Sequence, residues 1–276
     1  MTGTAARAGA RTFDLVRGRE APVTNVELFF DLVYVFAVTQ LSHHLLSRPS
    51  IIGALQTALL LAMVWLVWAY TTWVTNWLDP GRLPVRLLLL ALVLAGLVLS
   101  AALPEAFASR GLIVGVAYAV MQIGRSLFAV AALRGRELRR NFARSADPGR
   151  MGRTAYHLIH PVMVAGIIVV AAADQVVLSR PAATGTVPTG WLVLGGTALF
   201  IAGHAAFKYA VWQVVSWPRL AAIAVLGLLG LAAPVLPALA LGACAAAVVL
   251  TLAAVDYRFR SAGGEAEDGA AADASG

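Results

Sequence analysis

A chain of 276 residues with 60% hydrophobic and only 13% charged positions is not an ordinary water-soluble domain, in which charged residues make up about 25%. The net charge of +7 would suggest nucleic acid in a soluble protein. Here the basic residues fall between apolar runs, so a nucleic-acid partner is excluded in favour of membrane orientation and contact with anionic lipid. One cysteine, Cys244, excludes an internal disulfide or thiolate metal centre and leaves the compartment unread.

Residues 1–22 are polar, with Arg7, Arg11, Arg17 and Arg19, and lack the apolar core of a cleavable signal. They are expected to form a cytoplasmic segment ahead of an uncleaved anchor. Apolar runs near the length that crosses about 30 Å of hydrocarbon at about 1.5 Å per residue then follow. They predict helices at 26–46, 51–74, 85–103, 111–133, 156–178, 191–215, 220–233 and 237–255. Breaks fall at Arg48-Pro49, Asp79-Pro80-Gly81, Pro104-Glu105, Arg180-Pro181, Pro188, Trp217-Pro218, Pro234 and Pro237. The expected fold is all-α: a polytopic transmembrane bundle of about eight helices. The seventh run is short and contains Gly227 and Gly230, which reads as a tilted helix or a re-entrant hairpin with the eighth.

The expected organisation is a polar segment (1–22), a four-helix half (23–133), a basic linker (134–155), a second four-helix half (156–257) and a disordered tail (258–276). The tail, from Ser261, is Gly, Ala, Glu and Asp without a periodic apolar face. The shared orientation of the two halves would permit a parallel repeat, yet no sequence match links them.

Charge asymmetry sets the orientation. With the N-terminus inside, one side collects Arg7, Arg11, Arg17, Arg19, Arg82, Arg86, Arg219, Arg258 and Arg260, and the linker adds Arg134, Arg136, Arg139, Arg140, Arg144, Arg150 and Arg153. The other side holds Arg48, Arg110 and Arg180, a bias of sixteen to three. The positive-inside rule then places both termini in the cytoplasm, with Trp73, Trp77, Trp191 and Trp217 at the interfaces. The 134–153 stretch reads first as a topological anchor, and secondly as a site for anionic lipid or a regulator.

The segment VELFFDLVYVFAVTQLSHHLL (26–46) is the most informative, because Glu27 and Asp31 share one face of a membrane-length helix. Asp31 should lie about 8 Å, Lys208 about 10 Å and Arg125 about 12 Å from the cytoplasmic boundary. An unpaired charge at mid-membrane costs roughly 3 kcal/mol on insertion scales. Opposite charges at matching depth therefore predict a polar cluster of Glu27, Asp31, Arg125, His204 and Lys208. Such a cluster either fixes helix register or forms a proton or solute path. His204 precedes Lys208 by one turn and should be neutral.

The other ionisable groups are weaker candidates. His160 comes nearest to His204 in depth, but the two differ by about 9 Å, so no haem or metal site is expected and no cofactor is assigned. His43 and His44 read as interfacial, and Asp174 lies near the outer boundary. Trp65, Trp68 and Thr72 recur at helical spacing, as packing or as a cavity lining. The chain has no Gly-rich phosphate loop, nucleophile elbow or paired-histidine zinc helix, which counts against a familiar soluble-type enzyme.

ELFFDLVYVFAVTQLSHHL resembles the opening of the bacterial low temperature requirement protein A family. The Asn76 and Asp79 spacing, Arg125, YHLIHPVMVAGIIVVA (156–171) and LFIAGHAAFKY (199–209) resemble its later parts. The resemblance implies a multi-pass protein of the bacterial inner membrane linked to growth in the cold, with no settled molecular activity. It also marks Asn76, Asp79 and His160 as secondary candidates. The central histidine-glycine-leucine-phenylalanine stretch and leucine-glycine-glutamate motif of the family are missing. The basic linker stands in their place, as in a shortened member. The partners expected are the bilayer, anionic lipid near the linker, and a small solute or proton. The leading function is transporter-like; the alternative is a non-catalytic scaffold or sensor.

Overall fold

The computed structural model describes residues 24–133, 158–184 and 186–273. The N-terminal arginines and the 134–153 stretch, with the lipid contact expected there, lie outside the described residues. Every regular element among those residues is helical. Among the described residues seven helices are long and apolar enough to cross a membrane, and an eighth is apolar but shorter. The chain divides into two compact units, Met1–Pro148 and Gly149–Gly276.

The first unit contains α1 (Asn25–Ser47), α2 (Ile51–Trp77), α3 (Leu83–Ala102) and α4 (Gly111–Leu133). Its order of packing is not the order of the chain. α1 lies chiefly on α3, α3 also holds α4, and α2 is seated against α1 and α4. Val33, Ala37, Leu41, Leu89, Leu92 and Met121 are buried between them. A Cβ on Gly96 would stand 3.0 Å from Val33 Cγ1, so the small residue lets α1 and α3 close. Leu28, Leu32, Val35, Leu59, Leu94 and Val116 point outward, as lipid-facing side chains should.

Polar residues close the helix ends. Thr24 and Glu27 form a capping box on α1, and Ser50 Oγ accepts from Gly53 N–H at 3.1 Å to start α2. His44 stands in the last turn of α1. It is fully buried, with Nδ1 3.0 Å from the Pro104 carbonyl and its ring 5.9 Å from Phe107. It ties the end of α1 to the short 3₁₀ turn Leu103–Glu105 that follows α3.

The second unit contains α5 (His160–Ser179), α6 (Val187–Trp212), α7 (Trp217–Leu231) and α8 (Ala238–Asp273). Here the helices pack in chain order, α5 on α6, α6 on α7 and α7 on α8, with α8 returning to α5. The two units thus differ in packing order. α5 and α6 approach almost backbone to backbone: a Cβ on Gly166 would lie 2.6 Å from Phe200 N, and one on Gly203 2.8 Å from Met163 Cγ. α6 begins earlier than its apolar run, at the Thr186 cap, and passes through a π turn at Trp191–Gly195. It ends on Gln213, whose φ of 55° is left-handed.

The turn after α7 decides between the two readings of the seventh run. Ala238 N–H donates to the Ala183 carbonyl at 2.9 Å and Leu239 N–H to the Pro181 carbonyl at 3.1 Å. The α7–α8 turn therefore lies beside the α5–α6 turn, and α7 returns across the unit rather than folding back midway. Its 15 residues give about 22 Å of helix, and the turns of 232–236 complete the distance. α8 runs on to Asp273, beyond the apolar run that ends near Val255.

Candidate functional site

Glu27 closes the start of α1. Its carboxylate accepts from Thr24 N–H at 2.8 Å and from Thr24 Oγ1–H at 3.1 Å, while Thr24 Oγ1 accepts from Glu27 N–H at 3.4 Å. The residue satisfies the amide end of α1. The T-x-x-E spacing at 24–27 was the sequence signal for this.

Asp31 stands one turn further on, exposed on the helix surface. Its Oδ1 accepts from the indole Nε1–H of Trp68 on α2 at 2.9 Å. The Trp68 ring leans on Trp65, with centroids 4.8 Å apart. The two tryptophans thus position a hydrogen-bond donor as well as packing. Among the described residues that indole is the only donor to Asp31, and the second carboxylate oxygen is open.

Arg125 is buried, 6% exposed, on α4. One terminal nitrogen donates to the Val67 carbonyl at 3.2 Å, the other donates to Gln122 Oε1, and the guanidinium lies 5.2 Å over the Tyr70 ring. Gln122 Nε2–H in turn donates to Tyr118 Oη at 2.8 Å. Among the described residues no direct ion pair joins Asp31 and Arg125. Arg125 instead meets the low-dielectric interior with a carbonyl, an amide and an aromatic face.

Tyr34 stands one turn beyond Asp31 on α1. Its hydroxyl is buried without a hydrogen-bond partner, within electrostatic reach of both Arg125 and Asp31. A buried hydroxyl is seldom left unsatisfied, which sets Tyr34 apart from the packing residues around it. Sequence reasoning passed over Tyr34, because a tyrosine in an apolar run carries no distinguishing signal.

In the second unit His204 and Lys208 share one face of α6. They keep company with two residues that the sequence reading had not joined to them. Arg219 at the start of α7 is 2% exposed. It donates to Asp256 on α8 at 2.5 Å and 3.3 Å, and to Ser216 Oγ at 2.8 Å. His204 and Lys208 lie within electrostatic reach of Asp256, and His204 rests near Phe200, 6.4 Å between ring centroids. Arg219 counted as a topology-setting cation in the sequence; a buried bidentate pair is what the fold makes of it.

The secondary candidates divide by role. Asp79 shapes the α2–α3 turn, accepting from Gly81 N–H at 2.8 Å and meeting Arg82 at 3.6 Å. Asn76 is exposed in the last turn of α2, and His160 opens α5. No group of three or more metal-ligating side chains occurs among the described residues.

Apolar spanning helices that bury Arg125 and Arg219 and carry an exposed Asp31 define a multi-pass helical membrane protein. Residues 22–148 and 142–254 match the model of the bacterial low temperature requirement A protein family. The chain belongs to that family. The two matches overlap at residues 142–148, within the basic linker. The chain is also similar to an uncharacterised protein of Rhizobium meliloti (strain 1021), 51% identical over 108 residues. That match takes in 39% of this chain and 26% of the relative's length. No solved structure matches the chain.

Proposed function

We propose that the protein is transporter-like, resident in the bacterial inner membrane with both termini cytoplasmic, and that its intramembrane charges handle a proton or a small solute. Asp31 is the ionisable group that exchanges. Arg125 is a fixed buried counter-charge, and Tyr34 lies within electrostatic reach of both. His204 and Lys208 form a separate polar group within the second unit, beside Asp256. The observation that carries the reading is Asp31 itself: a carboxylate on a membrane span, held by one indole N–H, with its other oxygen open. Ionisable groups in spans are expensive and usually mark such paths.

The test is uptake or proton release in proteoliposomes. Asp31→Asn keeps a carbonyl oxygen for Trp68 and should fold like the parent, yet lose transport. Undiminished transport by that variant would remove Asp31 from the path.

A second reading, a non-catalytic scaffold or sensor linked to growth in the cold, draws on the way Arg125 ties α4 to a carbonyl of α2. It expects Arg125→Leu to lower the thermal midpoint in detergent while Asp31→Asn changes neither stability nor growth in the cold.

A further inference from the structure

We propose that the second unit binds one anionic phospholipid, with an acyl chain in the groove between α7 and α8 and the phosphate at the Arg219 end of that groove. The site is separate from the Asp31 path and does not depend on its role.

The groove has a volume of about 420 Å³ and is lined by Pro218, Ala222, Val225, Ala247, Leu252 and Val255 among others. Small side chains on both helices open it, and nothing charged interrupts it. Its floor leads to a polar end. Ala222 lies one turn from Arg219, and Leu252 one turn from Asp256, so the apolar lining runs directly into the buried ion pair.

That end is short of negative charge. Asp256 is the acid facing Arg219, Lys208 and His204. Lys208 makes no hydrogen bond or ion pair among the described residues. The Nε of Arg219 is buried without a partner. Ser216, the cap residue of α7, accepts from Arg219 on its hydroxyl oxygen and makes no side-chain cap. At the start of α7 Pro218 has no N–H and Arg219 N–H donates to the Ser216 carbonyl at 3.1 Å, so the anion answers the side-chain cations Lys208 and Arg219. A phosphate monoanion balances these two cations where Asp256 alone does not. The exposed Trp212 and Trp217 beside it are side chains suited to headgroup depth. A free anion would use the polar end alone, whereas a phospholipid accounts for the apolar groove as well.

A second groove supplies an internal control. It lies between α6 and α7, measures about 510 Å³ and carries no charged residue in its lining. A side chain added at Gly227 there meets open space.

The test is native mass spectrometry of the full chain, purified in detergent and incubated with equal amounts of phosphatidylglycerol and phosphatidylcholine. One phosphatidylglycerol should be retained in preference. Lys208→Gln should cut the preference about fivefold. Ala247→Trp, which fills the groove from an exposed position and leaves Arg219 and Asp256 in place, should abolish retention. Gly227→Leu, in the control groove, should leave it unchanged. Equal retention of the two lipids would overturn the proposal, as would retention undiminished in Ala247→Trp or an equal loss in Gly227→Leu. Stabilisation by inorganic phosphate matching that by phosphatidylglycerol would make this a free-anion site and overturn it too.

Discussion

Removing the carboxylate of Asp256 leaves Arg219 buried and charged with only Ser216 for company, whereas removing the guanidinium leaves an aspartate whose side chain is 31% exposed and can turn to water. The two halves of this pair are therefore unequal. Breaking a buried pair from one side costs about 3 kcal/mol or more. Asp256→Asn should show that loss in a denaturation series in detergent, while Arg219→Met, which refills the volume with apolar atoms, should lose clearly less. Equal losses would mean that Arg219 reaches solvent. Residues of this kind were only partly legible. Asp31 and Arg125 stood out because charges are rare in apolar runs, but their partners are an indole, a carbonyl and an amide, which do not. Glu27 was legible as a cap through T-x-x-E, and the pull of an acid pair four residues apart hid it.

At the scale of elements, hydropathy located the helices because every spanning backbone must satisfy itself within a helix. Their ends and neighbours followed other rules. Thr186 starts α6 and Gln213 stops it, neither visible in an apolar count. Contact between α5 and α6 depends on glycines whose missing side chains matter only when another backbone arrives. Gly166 is the sharpest case, since an added Cβ would sit 2.6 Å from Phe200 N. Gly166→Val should lower stability by about 1–3 kcal/mol through overpacking. Gly124 on α4 has open space around its would-be Cβ, so Gly124→Ala should be neutral or stabilising by up to about 1 kcal/mol. Thermal unfolding of the two variants side by side checks the claim. A Gly166→Val variant as stable as the parent would show that α5 and α6 do not meet there.

Across the whole molecule, the multi-pass class was plain from composition, while the packing order within each unit was not. Water-soluble helices announce their inner face by polarity. A span faces lipid and core with the same side chains, so Leu32 and Val33 look alike in sequence, though one is exposed and the other buried. What does remain readable is which end of each span carries arginine. That reading combines with the pairing of the 181–183 and 238–239 backbones to predict four crossings in the second unit. Cys244 is the only cysteine, so single replacements in a Cys244→Ser background report one position each. A membrane-impermeant maleimide added to intact cells should label Ser109→Cys, Ala183→Cys and Leu236→Cys. Gly81→Cys and Gln213→Cys should react only after permeabilisation. Leu236→Cys is the discriminating position: if α7 turns back midway, it lies at membrane depth and stays unlabelled while Ala183→Cys reacts. Labelling of both together requires α7, short as it is, to finish on the side where α6 began.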